Sequence, residues 1–179
     1  MSNILGMDIS SSTIGWALLS RGDEPVLLEC GHIKPPKSKS GSIASRISAT
    51  YDLIVDLLEE KTPNDISVES YANKFTAGRS TARTIIVLSV FNEVVSMACL
   101  RSAGIETKKY AVSTVRASLS RLAGRKITSK DETFEFICEY FPNFQARENR
   151  NGNIAKECFD EADAIAVALT YIYKENNNG

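Results

Sequence analysis

The chain has 179 residues and 43% of them are apolar, which is enough for one domain with a sizeable core. No apolar run approaches the roughly 20 residues that cross a bilayer, and the start lacks the basic segment of a signal peptide. The formal net charge of −1 hides a basic segment at residues 101–130, where Glu106 is the only acid. We therefore expect an intracellular, cytoplasmic protein, not a secreted or membrane protein, with a basic surface for an anionic partner.

The first third of the chain contains three short apolar stretches separated by turn residues. A serine-rich connection and a turn at Gly22 and Pro25 join them, which predicts an antiparallel meander. The predicted strands are residues 4–9, 14–19 and 26–33. A basic loop with Lys34, Lys37 and Lys39 follows, and it fits a disordered connector as well as a DNA clamp.

The rest of the chain alternates between helical and strand patterns. Residues 66–69 and 105–110 are short apolar stretches that predict two further strands. Helices are predicted from residue 43 to Pro63, from Ser80 or Thr81 to 103, from Ser113 or Thr114 to 124, from Thr128 or Ser129 to 140, and from Asp160 to 173. This order predicts an α/β fold with a mixed five-stranded sheet, three antiparallel strands then two parallel, flanked by helices. We expect a single domain over residues 1–174 and a frayed tail over 175–179.

Two acids stand where predicted strands end. Asp8 closes the first strand and Glu69 closes the fourth. A carboxylate beside an apolar strand is costly unless it is solvated, paired or bound to a metal. Taken singly, Asp8 is equally a turn former, and Glu69 equally an exposed strand end.

A second pair of acids, Asp160 and Asp163, lies at the start of the last predicted helix. Aspartate is a favoured helix cap and suits the helix dipole, so capping is the simpler interpretation. Residues three apart nevertheless share a helix face, and both carboxylates can point at one ion. The alternating alanines that follow make a slim helix that can pack closely on a sheet.

Together the four acids are more specific than any one of them. Adjacent strands can bring Asp8 and Glu69 together, and the last helix can lie across them. Oxygen ligands without Cys or His suit Mg²⁺ or Mn²⁺, and two such ions can hydrolyse a phosphodiester. The four cysteines form no Cys-x-x-Cys pair, and any histidine-based mechanism would depend on His32, the only histidine.

The sequence resembles the Holliday junction resolvases of the RuvC type, within the ribonuclease-H-like nuclease superfamily. The segments that carry this resemblance are 4–8 (ILGMD), 13–17 (TIGWA), 66–69 (ISVE) and 160–166 (DEADAIA). The resemblance implies a ribonuclease-H-like fold and a structure-specific DNA endonuclease that cleaves four-way junctions with two Mg²⁺ ions, for which Mn²⁺ can substitute.

The resemblance also implies roles for single residues. Asp8 would bridge both metals, Glu69 and Asp163 would complete their shells, and Asp160 would help to position the water. Lys130, at a predicted helix start, matches a functional lysine near the scissile phosphate. It fits an ordinary solvated helix end equally well.

The sequence departs from the family pattern in two places. Residues 9–12 (ISSS) stand where bacterial members have a Pro-Gly turn, and the loop after Glu69 differs. An aromatic residue near this loop helps to open the junction in the family, and Tyr71 and Phe75 are candidates. A divergent, viral-type or organellar-type branch fits these differences.

Further basic residues surround the predicted site. Arg116 falls where the family has another basic residue. Lys74, Arg79 and Arg83 follow Glu69 and would reach flanking phosphates with little sequence preference. An ordinary solvated surface accounts for them as well.

The helix predicted over residues 80–103 is apolar on more than one side, so it is either deeply buried or part of an interface. Enzymes of the RuvC type dimerise through the corresponding helix, and a two-fold dimer matches the symmetry of a four-way junction. The resemblance therefore implies a homodimer, although burial alone also explains the pattern.

Three other functions compete with junction cleavage. A nuclease of the same fold could act on flaps, other branched DNA or RNA–DNA hybrids. A junction-binding protein without activity could retain the fold. Segment 6–13 also resembles the phosphate turn of actin-like ATPases, which need a second large lobe and further nucleotide motifs.

Overall fold

The computed structural model describes residues 2–22, 24–37, 39, 41–70 and 82–177. Its strands are β1 Asn3–Ile9, β2 Ile14–Ser20, β3 Val26–Ile33, β4 Asp65–Glu69 and β5 Lys108–Tyr110. Its helices are α1 Ile43–Lys61, α2 Ala82–Ala98, α3 Val112–Ala123, α4 Lys130–Tyr140 and α5 Lys156–Asn177. A π-helical turn, Cys99–Ala103, extends α2 and ends at Gly104, whose positive φ of 68° suits glycine.

The five strands form one mixed sheet in the order β3-β2-β1-β4-β5. The pairs β1–β2 and β2–β3 are antiparallel, and β1–β4 and β4–β5 are parallel. The predicted α/β fold and its mixed sheet are therefore confirmed. β1 is the central strand, so the residues near its end, including Asp8, have a neighbouring strand on either side.

Alternation along the strands divides the core into two layers. On one face, Leu5, Met7 and Trp16 pack with α1 and α2. On the other face, Ile4 and Ala17 pack with α5, supported by α3 and α4. Asp8 follows the alternation of Ile4, which places it on the α5 face.

Close contact between α5 and the sheet depends on two glycines. An ideal Cβ added to Gly6 would lie 2.2 Å from the carbonyl oxygen of Ala164, and one added to Gly15 would lie 2.1 Å from that of Asp160. The backbone of α5 therefore rests directly on β1 and β2, as its alanine-rich sequence predicts.

Several predicted boundaries differ from the structure. α5 begins at Lys156, four residues before the predicted start, and continues to Asn177. The first three residues of the expected frayed tail, 175–177, thus belong to the end of this helix, and residues 178–179 lie outside the described ranges. β5 is shorter than the predicted 105–110. The caps expected at Ser80 or Thr81 also lie outside the described residues.

α2 with its π-helical extension differs from expectation in another way. The helix Ala82–Ala103 is long and apolar enough, by length and composition alone, to cross a membrane. The expectation that no segment approaches that length is thus wrong. A core helix passes the same test, and Phe91, Val95 and Ala98 of this helix are buried in the layer against the sheet.

Candidate active site

Asp8 and Glu69 lie on neighbouring parallel strands at the same end of the sheet. Met7 pairs with Val68 in the β1–β4 register, and each acid follows its paired residue by one position. Strand alternation then directs both side chains to the α5 face. Asn92 of α2 donates from Nδ2 to the carbonyl oxygen of Glu69 at 2.9 Å, which ties that strand end to the helix behind it.

Asp160 and Asp163 reach this point from α5. A carboxylate oxygen of Asp8 and one from each of these two acids all lie within 4.8 Å of one another. Because α5 begins at Lys156, Asp160 sits in its second turn and does not cap the helix. The simpler interpretation of Asp160 and Asp163 as capping residues is therefore wrong.

Burial and mutual repulsion perturb the protonation of this cluster. The pKa of Asp8 is held well above its usual range by burial and then by the negative charges of Glu69 and Asp163. Burial and Asp163 raise the pKa of Glu69 to about 7. Burial also raises the pKa of Asp163. The cluster therefore requires cations to carry its full negative charge near neutral pH.

Lys130 supplies one positive charge to the cluster. Its Nζ lies 3.0 Å from Oδ1 of Asp160 and 2.8 Å from Oδ2 of Asp163. Burial lowers the pKa of Lys130, but the charge and hydrogen bonds of the two aspartates outweigh burial and raise it overall. Ser129 and Glu132 form a capping box that starts α4 at this lysine, so its position is well defined.

The donor set fits a hard divalent cation. The ligand atoms are carboxylate oxygens, which Mg²⁺ and Mn²⁺ prefer. One ammonium group balances only part of the charge of Asp8, Glu69, Asp160 and Asp163. Among the residues described here, Asp8, Asp160 and Asp163 form a group that can hold a metal ion.

Besides Lys130, the structure describes two of the predicted DNA-binding residues, Arg116 and Arg83. Arg116 donates from Nη1 to the carbonyl oxygen of Thr128 at 2.7 Å, and its charge lowers the pKa of Glu69 and Asp163. It therefore lies beside the cluster. Arg83 is exposed on the first turn of α2. The remaining candidates lie outside the described residues: Tyr71, Lys74, Phe75 and Arg79.

A buried ion network next to the cluster was not predicted from the sequence. Glu161 is fully buried, and its Oε1 accepts from Nδ1 of His32 at 2.8 Å and from Nη2 of Arg147. The sequence offered only a faint signal, a glutamate between Asp160 and Asp163 on a helix otherwise lined with apolar residues. Its partners are 129 and 14 residues away in the chain.

The chain is similar to known proteins over nearly its whole length. A family model described as crossover junction endodeoxyribonuclease RuvC matches residues 4–171. Relatives of that name from Prochlorococcus marinus subsp. pastoris and Ehrlichia canis are 27% and 25% identical over 176 residues, which are 98% of this chain and 99% of each relative.

Two solved structures share the fold at low sequence identity. RuvC of Thermus thermophilus, in complex with a Holliday junction substrate, aligns with a TM-score of 0.74 at 16% identity, covering 98% of this chain and 96% of that one. The yeast mitochondrial Holliday junction resolvase aligns with a TM-score of 0.70 at 14% identity, covering 98% and 79%. These alignments confirm the predicted ribonuclease-H-like architecture.

Proposed function

The chain belongs to the family of crossover junction endodeoxyribonuclease RuvC, and on that premise we propose that it cleaves four-way DNA junctions by metal-dependent hydrolysis of phosphodiester bonds. The observation that carries the proposal is the convergence of Asp8, Asp160 and Asp163, with the charge of Glu69 acting on the same group. Such an enzyme works in a compartment that contains DNA. It is an endodeoxyribonuclease in the sense of its family.

We propose two Mg²⁺ ions as the cofactor, with Mn²⁺ as a working substitute. When bound, the ions activate a water molecule and stabilise negative charge on the leaving oxygen. Asp8, Glu69 and Asp163 would hold the ions through their carboxylates. Asp160, which accepts a hydrogen bond from Lys130, would orient the attacking water.

Basic side chains beside the cluster would hold the DNA backbone. Lys130 and Arg116 would attract the phosphate that enters the site. Both lie close to the acids, since Lys130 pairs with Asp160 and the charge of Arg116 lowers the pKa of Asp163. Arg83 would contact a flanking phosphate, as would Lys74 and Arg79. Contacts of this kind make affinity dependent on salt and only weakly dependent on sequence. Tyr71 and Phe75 remain candidates for opening the junction.

We also propose that two copies pair through the helix Ala82–Ala103. Ile86 is 62% exposed and Leu100 is 55% exposed, although both belong to an apolar helix. Met97 of the same helix is 46% exposed and lines a groove together with Ile47 and Tyr51 of α1. A two-fold dimer would present two sites to symmetric strands of one junction.

The function is tested with one panel of labelled substrates: a four-way junction, a flap, a duplex and an RNA–DNA hybrid, each with Mg²⁺ or Mn²⁺. The wild-type protein should make paired, symmetric nicks in the junction, and Asp8→Asn should make none. Asp56→Asn, at an exposed position on α1, is the matched control and should cut normally. Equal cutting of flaps or hybrids would assign a different substrate, and cutting by Asp8→Asn would overturn the site.

The dimer is tested by sedimentation. Leu100→Glu should convert a dimer to a monomer and replace paired nicks with single ones. Ile154→Glu places the same charge at an exposed apolar position outside α2 and should leave the dimer intact. A wild-type monomer at working concentrations would contradict this proposal.

A further inference from the structure

Glu161 lies between Asp160 and Asp163 in the chain, but its side chain faces away from Asp163. In an α-helix successive side chains are about 100° apart, so residues two apart lie on nearly opposite sides. Asp163 faces the acid cluster, whereas Glu161 faces β3 and the segment before α5, where it meets His32 and Arg147. One turn of α5 thus contacts the site on one side and an ion network on the other.

A row of paired residues in the sheet lies beneath this turn of α5 and joins the acid cluster to the ion network of Glu161. Asp8 pairs with Gly15, and Gly15 pairs with His32, across three adjacent strands. The carbonyl group of Asp160 rests on Gly15, with no room for a Cβ between them. The sheet therefore supports α5 from below, and His32, in the same row, contacts Glu161 of the helix at 2.8 Å.

The energetics of Glu161 do not favour a purely stabilising role. Its side chain is fully buried, both partners converge on Oε1, and Oε2 has no hydrogen-bond partner among the described residues. A buried polar atom without a partner destabilises the folded state. An apolar side chain often serves stability as well as a buried ion pair does. An apolar residue makes no directional contact that could fix the rotation of the helix about its axis.

We propose that Glu161 is a positioning residue whose contacts with His32 and Arg147 fix the rotation of α5 and so hold Asp160 and Asp163 against Asp8. Side-chain atoms on a helix lie about 6 Å from its axis, so a rotation of about 10° moves a carboxylate by about 1 Å. A displacement of that size costs roughly 100-fold in rate. The inference about the reaction rate rests on the proposed function, whereas the inference about the geometry of the acid cluster does not.

The experiment compares Glu161→Ala with Glu161→Gln and with Glu157→Ala as the matched control. Glutamine keeps the shape and an acceptor oxygen. Glu157 lies on the first turn of α5 and pairs with Lys34 at 2.7 Å, so its replacement removes a nearby ion pair without removing the His32 contact. Three quantities are measured: Mn²⁺ affinity by calorimetry, junction affinity in Ca²⁺, and the single-turnover cleavage rate.

Glu161→Ala should weaken Mn²⁺ binding and lower the cleavage rate roughly 100-fold, while junction affinity stays the same. Glu161→Gln should restore most of both properties, and Glu157→Ala should match the wild type. Wild-type Mn²⁺ affinity and rate in folded Glu161→Ala would overturn the proposal, as would equal losses in Glu157→Ala. If Glu161→Ala does not fold, His32→Ala removes one contact from a partly exposed side chain and must show the same selective loss.

The Mn²⁺ measurement separates this inference from the proposed function. If the wild-type protein binds Mn²⁺ but cuts no junction, the proposed function fails. Weaker Mn²⁺ binding by Glu161→Ala would still support the positioning role. If the wild type cuts junctions and Glu161→Ala does so equally well with the same Mn²⁺ affinity, only the positioning role fails.

Discussion

Replacing Gly15 by alanine should separate α5 from the sheet at the acid cluster. An ideal Cβ would lie 2.1 Å from the carbonyl oxygen of Asp160, whereas ordinary contact begins at 3.4 Å, so the backbone must move by the difference, about 1.3 Å. Overpacking of this kind costs about 1–3 kcal/mol of stability. Because the displaced carbonyl belongs to Asp160 itself, a shift of about 1 Å should also lower cleavage roughly 100-fold.

The assay is single-turnover cleavage of a labelled junction at saturating Mg²⁺, together with urea unfolding. Gly31→Ala is the control, because its Cβ would lie 2.8 Å from Cζ2 of Trp16, on the opposite face of the sheet. It should lose a comparable amount of stability but cleave nearly normally. Cleavage by folded Gly15→Ala within about threefold of the wild type, or equal losses of activity in both variants, would refute this link between Gly15 and the acid cluster.

Charge balance in the acid cluster governs the remaining predictions, which concern the stability of the metal-free protein and its response to Mg²⁺. Since the pKa of Glu69 is about 7 in the folded state against 4.5 in its unperturbed state, the folded state holds more protons between these values. The free energy of unfolding in EDTA should therefore fall from about pH 5 to pH 8, by on the order of 3 kcal/mol. Glu69→Gln should flatten this slope, and a flat wild-type profile would contradict the raised pKa. Above neutral pH, Asp8→Asn removes a buried carboxylate that the other acids repel, so it should raise the melting temperature without metal and reduce the further rise caused by Mg²⁺; an unchanged melting temperature would argue against the repulsion. Lys130→Met removes the ammonium that pairs with Asp160 and Asp163, so it should lower the metal-free melting temperature and increase the rise caused by Mg²⁺; the same rise as in the wild type would show that Lys130 does not balance the cluster.

The strands that carry the site were predictable because their signals are local. Residues 4–9 and 66–69 are short apolar stretches that end in an acid, and parallel neighbours bring such ends together. The structure has this register, with Met7 beside Val68. The three-residue spacing of Asp160 and Asp163 also needs only the helical repeat to place both on one face.

The start of α5 was predicted wrongly because two roles fit the same residues. Aspartate at a helix start is normally a cap, whereas Ala155, just before Lys156, is a poor cap and marks no earlier helix start. Tertiary packing stabilises the earlier helix start, because Cys158 is buried in the core layer around α5. Once the helix begins at Lys156, Asp160 no longer caps it and its side chain reaches the cluster.

Local sequence patterns were enough to predict the order of the elements, the two-sided alternation of the strands and the strand-end and helix positions of the four acids, because each depends on residues a few positions apart. Only the tertiary structure showed that Gly15 supports the carbonyl of Asp160, that Lys130 bridges two aspartates and that His32 contacts Glu161. These contacts join residues far apart in the chain. Their energies depend on distance and burial, which no local pattern encodes.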